Sequence, residues 1–249
     1  MISEAAASDH APPSVLIVVA KRPAPGQTKT RLSPPLSLEQ ASALYECFLK
    51  DTLELMRQVS GVQRVLAYLP EGERKYFSQL APDFDLLPQN GPDLGGRLDN
   101  ALTHYLQMGY RNAVIMDSDS PTLPASCLIS AFTALEDGSD AVIGPSDDGG
   151  YYLIGLKRPY PRLLREVRMS TPEVTADTLA LAGEHGLKVS LLPLWYDVDD
   201  TQSLKRLDNE LARAPAGVVC HTREYLSQPG IRELFALAPV MKPGILSTS

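Results

Sequence analysis

Four short stretches carry the side chains of this sequence that could do chemistry: one basic, "KRPAPGQTKTRL" (21–32), and three acidic, "MDSDSP" (116–121), "GPSDDGGYYLIG" (144–155) and "YDVDD" (196–200). No acid occurs between His10 and Leu38, yet Lys21, Arg22, Lys29 and Arg31 fall within eleven residues. That one-signed loop suits an anion: Gly26 lets backbone approach an oxyanion, and Lys29 and Arg31 are charge-assisted donors to phosphate oxygens. It is not a P-loop, because Lys29 follows Thr28 and Pro23 stands where the first glycine is needed, and no G-x-G-x-x-G or G-x-S-x-G is present.

In "MDSDSP", Asp117 and Asp119 alternate at the end of an apolar run, so both carboxylates can face one hard cation, Mg²⁺ or Mn²⁺. Such cations are held by one or two carboxylates together with substrate phosphates, so the acidic and basic loops are complementary parts of one site. "DDGG" is the grammar of a hairpin turn; alternatively Asp148 binds an acceptor hydroxyl or acts as a base, with Gly149 and Gly150 leaving room for a ligand. Of Asp197, Asp199 and Asp200, Asp200 is better placed to cap the following helix and Asp199 to join the metal. His10, His104, His185 and His221 do not cluster, which disfavours a histidine-based centre.

These loops must be held by a scaffold, and the chain between them reads as one. Runs at 14–20, 62–69, 84–89, 112–119, 140–146, 150–156 and 188–194 have the β-branched, apolar pattern of buried strands. Helical spacing covers 37–59, 71–80, 93–109, 123–135, 172–186 and 201–214, the first opened by Ser37 as N-cap with Gln40 at N3. Strands alternating with helices imply an α/β protein, with helices on both faces of a mostly parallel central sheet. In such sheets ligands bind at the carboxyl ends of the strands, and all four loops fall there. We expect one domain over 14–214, preceded by a disordered tail (1–13) and followed by a C-terminal helical extension and tail (215–249).

Composition bounds the function classes. The 249 residues carry a net charge of −7, which argues against nucleic-acid or anionic-membrane binding through an overall positive field. Three scattered cysteines argue against a zinc site or disulfide framework, no run spans a bilayer, and the N-terminus is unlike a signal peptide, so a cytoplasmic protein is expected.

Taken together, "VVAKRPAPGQTKTRL", "MDSDSP", "GPSDDGGYYLIG", "STPEV" and "DVDD" resemble the DUF2064 family of bacterial GT-A-like transferases, over about Val15 to Leu207. These are described as glycosyltransferases associated with radical-SAM and arsenosugar biosynthesis genes, and they are more distantly similar to guanylyltransferases. The resemblance implies a three-layer α/β/α nucleotide-diphospho-sugar transferase fold. It also places Lys21, Gly26, Lys29 and Arg31 in the nucleotide-phosphate loop, Asp119 on the metal, and Gln89 and Gly95 of "QNGPDLGGRL" near the base or ribose. Asp148, Gly149 and Gly150 would line the acceptor side. "MDSDSP" departs from the family in adding Asp117, and "DVDDTQSL" departs in a way that leaves the roles of Asp199 and Asp200 open.

The expectation is therefore a metal-dependent glycosyltransferase acting from a nucleotide sugar on a small-molecule acceptor, with Asp119 and Asp148 catalytic. The alternatives are a nucleotidyltransferase joining an NTP to a phosphorylated small molecule, and a non-catalytic nucleotide-binding protein.

Overall fold

The computed structural model describes residues 14–215 and 217–237; the expected tail at 1–13 lies outside them. Strands β1 (Ser14–Lys21), β2 (Val62–Leu69), β3 (Asp85–Pro88), β4 (Ala113–Met116), β5 (Ala141–Pro145), β6 (Tyr151–Leu156) and β7 (Val189–Leu191) form one sheet, in the order β3-β2-β1-β4-β6-β5-β7. Neighbouring strands run parallel, except that β6 is antiparallel to both β4 and β5. Reversing β6 leaves β1, β4, β5 and β7 pointing the same way. Their carboxyl ends, and the four chemically loaded loops, share one rim.

The helices α1 (Leu38–Arg57), α2 (Arg74–Leu80), α3 (Leu94–Gln107), α4 (Ala125–Glu136), α5 (Arg162–Arg165), α6 (Val174–Glu184), α7 (Thr201–Leu211), α8 (Cys220–Ser227) and α9 (Pro229–Leu237) complete the described elements. Alternation along β1 divides the core. Leu16, Val18 and Ala20 pack with Leu49 and Leu53 of α1, Phe77 of α2 and Leu128 of α4, while Val15 and Ile17 pack with Leu98 and Leu102 of α3 and Leu164 of α5. A sheet buried on both faces is why the strands read as unbroken apolar runs, and the result is the expected three-layer α/β/α arrangement.

A third cluster joins α1 to the C-terminal part of the chain, through Leu44 and Phe48 against Leu204, Leu207 and Leu226. Asp51 of α1 fixes this contact by accepting the backbone N–H groups of His221 (3.0 Å) and Thr222 (2.8 Å) at the start of α8. A carboxylate there satisfies otherwise orphaned amides and opposes the helix dipole. Helix α8 thus packs back onto the body, and residues 238–249 of the extension and tail expected over 215–249 lie outside the described residues.

Three elements differ from the sequence reading. The strand expected over 112–119 stops at Met116, so Asp117 and Asp119 lie in the loop, where strand alternation no longer sets their direction. The strand expected over 188–194 shrinks to Val189–Leu191, followed by a single bridge from Trp195 to Ser146. The four-residue α5, too short for periodicity to reveal, lies across α3.

That crossing depends on Gly95. A Cβ there would stand 2.0 Å from the carbonyl oxygen of Leu164, a backbone atom that no rotamer change can move. Gly95→Ala should therefore destabilise the protein by about 2 kcal/mol in denaturant unfolding. Gly183→Ala in α6, where a Cβ meets nothing within 4 Å, should be neutral or slightly stabilising. Equal effects at the two sites would refute the close approach.

Candidate functional site

At the rim, the ammonium of Lys29 stands between two carboxylates, 2.7 Å from Asp119 Oδ1 and 2.6 Å from Asp199 Oδ1, with its side chain only 5% exposed. The backbone delivers it from an unusual conformation: Lys29 is left-handed (φ 50°), at the head of the short 3-10 turn Thr30–Leu32. Burial by itself would lower its pKa, and the two carboxylates more than reverse that, holding it above the ordinary lysine value.

The loops are stitched together around this ion triple. Ser118 Oγ donates to the Val19 carbonyl (3.1 Å) and also meets the Tyr45 hydroxyl (3.0 Å), which accepts the Lys21 amide (3.2 Å). Ser120 Oγ donates to Asp197 Oδ1 (2.8 Å), and the Val198 amide donates to the Asp119 carbonyl (2.9 Å). Asp200 caps α7, its carboxylate accepting the Ser203 amide (2.8 Å). With Asp200 so engaged, Asp199 is left to face Asp119.

Asp117 points inward, with Oδ1 accepting the Asp119 amide (3.1 Å). Burial, then the charges of Asp197 and Asp119, push its carboxyl well above the usual carboxylate range. Asp197 is pushed up to about 6, chiefly by burial and then by Asp119, Asp148 and Asp199, against the lowering effect of Ser120. Oxygen donors, an excess of negative charge and one cation already seated between two of them are the chemistry of a hard-cation site. Asp119 and Asp199 fit such an ion directly, with Asp117 adjoining. A second group of acidic and imidazole ligands, Asp51, Glu54 and His221, lies at the α1–α8 contact; there Asp51 is engaged with the α8 amides and His221 pairs with Glu54 (2.9 Å).

Three cavities meet at these carboxylates, and two of them reach Asp117 and Asp119. One, of about 450 Å³, is lined by Lys21, Lys29, Arg31, Gln89 and Arg97 together with Asp117, Asp119 and Asp199. Gln89 Nε2 donates to the carbonyls of Ala20 (3.2 Å) and Ala67 (2.8 Å), which turns its acceptor oxygen away from those contacts. The other, of about 440 Å³, is bounded by Ile115, Met116, Leu153, Met169 and Val174 and by Asp148, Gly150, Asp197 and Asp199.

Not every residue singled out in the sequence lines a cavity. Gly26 (φ 73°) turns the basic loop outside the lining, and Gly95 is occupied by the α3–α5 crossing. At Gly149 (φ 91°) a Cβ would stand 1.9 Å from the Pro172 carbonyl, so close approach of the 168–173 loop accounts for it without a ligand. Gly150 does border the second cavity, and its amide donates to Asp148 Oδ1 (2.8 Å).

Two residues at the site, Arg97 and Ser170, were not read from the sequence. Arg97 lines the first cavity, and its buried Nε has no hydrogen-bond partner; its signal was the Arg inside "DLGGRL". Asp197, considered in the sequence beside Asp199 and Asp200, accepts Ser120 Oγ and borders the second cavity. Ser170, left-handed (φ 63°), sits where the two cavities join; no sequence signal marks such a conformation.

Residues 52–171 match the model of DUF2064, a family described as an uncharacterized protein conserved in bacteria. A crystal structure from Desulfovibrio desulfuricans G20, provisionally described as a nucleotide-diphospho-sugar transferase, is 29% identical, covers 90% of this chain and 96% of its own, and has a TM-score of 0.82. Together these bear out the DUF2064 and GT-A-like resemblance. The 4-diphosphocytidyl-2C-methyl-D-erythritol synthase of Anaerococcus prevotii DSM 20548 is 11% identical, with 80% of this chain and 97% of its own covered at a TM-score of 0.54. Rv0371c from Mycobacterium tuberculosis H37Rv, in complex with manganese, is 17% identical, with 79% and 98% covered at a TM-score of 0.51. At these identities the last two share the fold alone. No curated protein matches the chain. Among the described residues no helix is long and apolar enough to cross a membrane.

The crowding of carboxylates has a measurable consequence. Asp197 has a folded pKa above its unfolded value, so the native state binds more protons and stability falls as pH rises from about 4 to 6. Asp197→Asn should flatten this slope and raise the melting temperature at pH 7.5, a gain on the order of 1 kcal/mol. An unchanged pH–stability curve would contradict the buried, crowded setting of Asp197.

Proposed function

Taking DUF2064 as premise, we propose that the protein is a metal-dependent glycosyltransferase that moves a sugar from a nucleotide-sugar donor to an uncharged hydroxyl of a small-molecule acceptor. The donor's diphosphate suits the basic cavity, where Lys21, Arg31 and Arg97 supply charge-assisted donors. Gln89, at the same cavity, offers an acceptor oxygen to a base or ribose. Mg²⁺ or Mn²⁺ held by Asp119 and Asp199, with Asp117 adjoining, would act as a Lewis acid that neutralises charge on the departing diphosphate.

One observation carries the choice of glycosyl transfer. The second cavity has apolar walls and five carboxylates, and its single basic lining residue is Arg31, whose side chain is 71% exposed. A phosphorylated acceptor, which nucleotidyl transfer needs, would face five carboxylates whose one buried counter-ion, the Lys29 ammonium, is already held by Asp119 and Asp199; an uncharged alcohol with an apolar body meets no such penalty. In the proposed step the acceptor oxygen bonds to the anomeric carbon as the bond from that carbon to the diphosphate oxygen breaks. The hydroxyl proton passes to Asp148, an exposed carboxylate at the mouth of that cavity.

The product assay decides. With Mg²⁺ or Mn²⁺, a sugar nucleotide and an alcohol acceptor should yield nucleoside diphosphate, and Asp119→Asn should lower kcat at least about 100-fold. Pyrophosphate release from an NTP and a phospho-acceptor would establish the nucleotidyltransferase instead, and binding without turnover of either donor would establish a non-catalytic protein.

A further inference from the structure

A lysine that serves phosphate and two carboxylates that serve a metal are, in this structure, bonded to one another. Two of the three Lys29 ammonium donors are spent on Asp119 and Asp199, and the left-handed backbone at Lys29 directs the side chain inward. The position between those oxygens is the one a divalent cation would need. We propose that Lys29 is a resident counter-ion that keeps the cation site closed until an anionic ligand draws it away, so that metal and diphosphate bind as a coupled pair. The inference rests on the metal-dependent reading above and adds the exchange of partners at Lys29.

Charge accounting around the buried ammonium gives the coupling its direction. A divalent cation arriving alone must displace a buried ammonium and leave it unpaired, while a diphosphate arriving alone must pull the ammonium off and leave two carboxylates facing each other; each is costly. Arriving together, cation and anion exchange partners with Lys29, and every charge ends paired. The basic cavity beside Lys29 also contains Arg97, whose buried Nε has no partner, and Lys21, so the anion has a seat next to the ammonium it must attract. The cavity between them is continuous, since Lys29, Asp119 and Asp199 line it in common. Linkage then requires that diphosphate tighten metal and metal tighten diphosphate by the same factor.

The test reads metal binding without turnover. Free Mn²⁺ is followed by electron paramagnetic resonance as it is titrated with nucleotide-free protein, using the full chain and the variants Lys29→Met and Lys29→Gln, each checked for folding by thermal unfolding. Removing the competitor should tighten Mn²⁺ at least about tenfold in both variants relative to wild type. Should neither variant fold, wild-type protein labelled with ¹⁵N-lysine gives the answer: the protected ammonium signal should persist with Mg²⁺ alone and move with Mg²⁺ and pyrophosphate together. Mn²⁺ affinity unchanged or weakened in folded variants, or displacement of the ammonium signal by Mg²⁺ alone, would overturn the exchange while leaving the metal site intact. Absence of Mn²⁺ binding in every form, with pyrophosphate or without, would overturn the metal-dependent reading and this inference with it.

Discussion

The bond between the Lys29 ammonium and the paired carboxylates of Asp119 and Asp199 is the contact on which the rest of the rim depends. Five aspartates, at 117, 119, 148, 197 and 199, border one cavity, and like charges at such density oppose folding. A single buried ammonium, 2.7 and 2.6 Å from two of them, offsets part of that repulsion. The local backbone follows from it: the left-handed residue, the short 3-10 turn and the stitching of the first loop to α1 through Tyr45 all serve to bring Lys29 inward. The carboxyl groups of Asp117 and Asp197 stay raised, chiefly by burial and then by the neighbouring aspartates, so that offset is incomplete.

The sheet makes this contact possible. Lys29 and Asp199 are 170 residues apart, yet each follows a strand whose carboxyl end lies on the same rim, and the reversal of β6 keeps β5 and β7 pointing the same way as β1 and β4. Two cavities of opposite character result, one basic and one apolar with a carboxylate edge, joined at Asp117, Asp119 and Asp199. A transferase needs that adjacency, because donor and acceptor must meet at one atom. The proposed division of labour follows from the walls of each cavity, and the fold supplies only their proximity.

Most of the scaffold was legible in the sequence because its strands are buried on both faces and therefore unbroken in pattern, and because Ser37 and Asp200 announce their helices by capping. The four loops could be assigned to one rim from strand direction alone. What could not be read were features set by tertiary contact. The short α5 has no period of its own; Gly149 looked like room for a ligand but is held by the Pro172 carbonyl; and Arg97 was one more charged residue on a helix until the cavity formed beside it. Above all, Lys29 and the aspartates were recognised separately as phosphate and metal groups. Only their packing shows that each is the other's partner.

The central claim, that this rim is a joint site for a cation and a nucleotide diphosphate, is tested most directly by calorimetric titration of the wild-type protein. The titrants are a panel of nucleoside diphosphates and sugar nucleotides covering the common bases, each run with Mg²⁺ and with EDTA. The account predicts that at least one member of the panel binds with Mg²⁺ and that its affinity falls at least about tenfold in EDTA. Binding of equal strength in EDTA, or none across the whole panel with Mg²⁺, would contradict it.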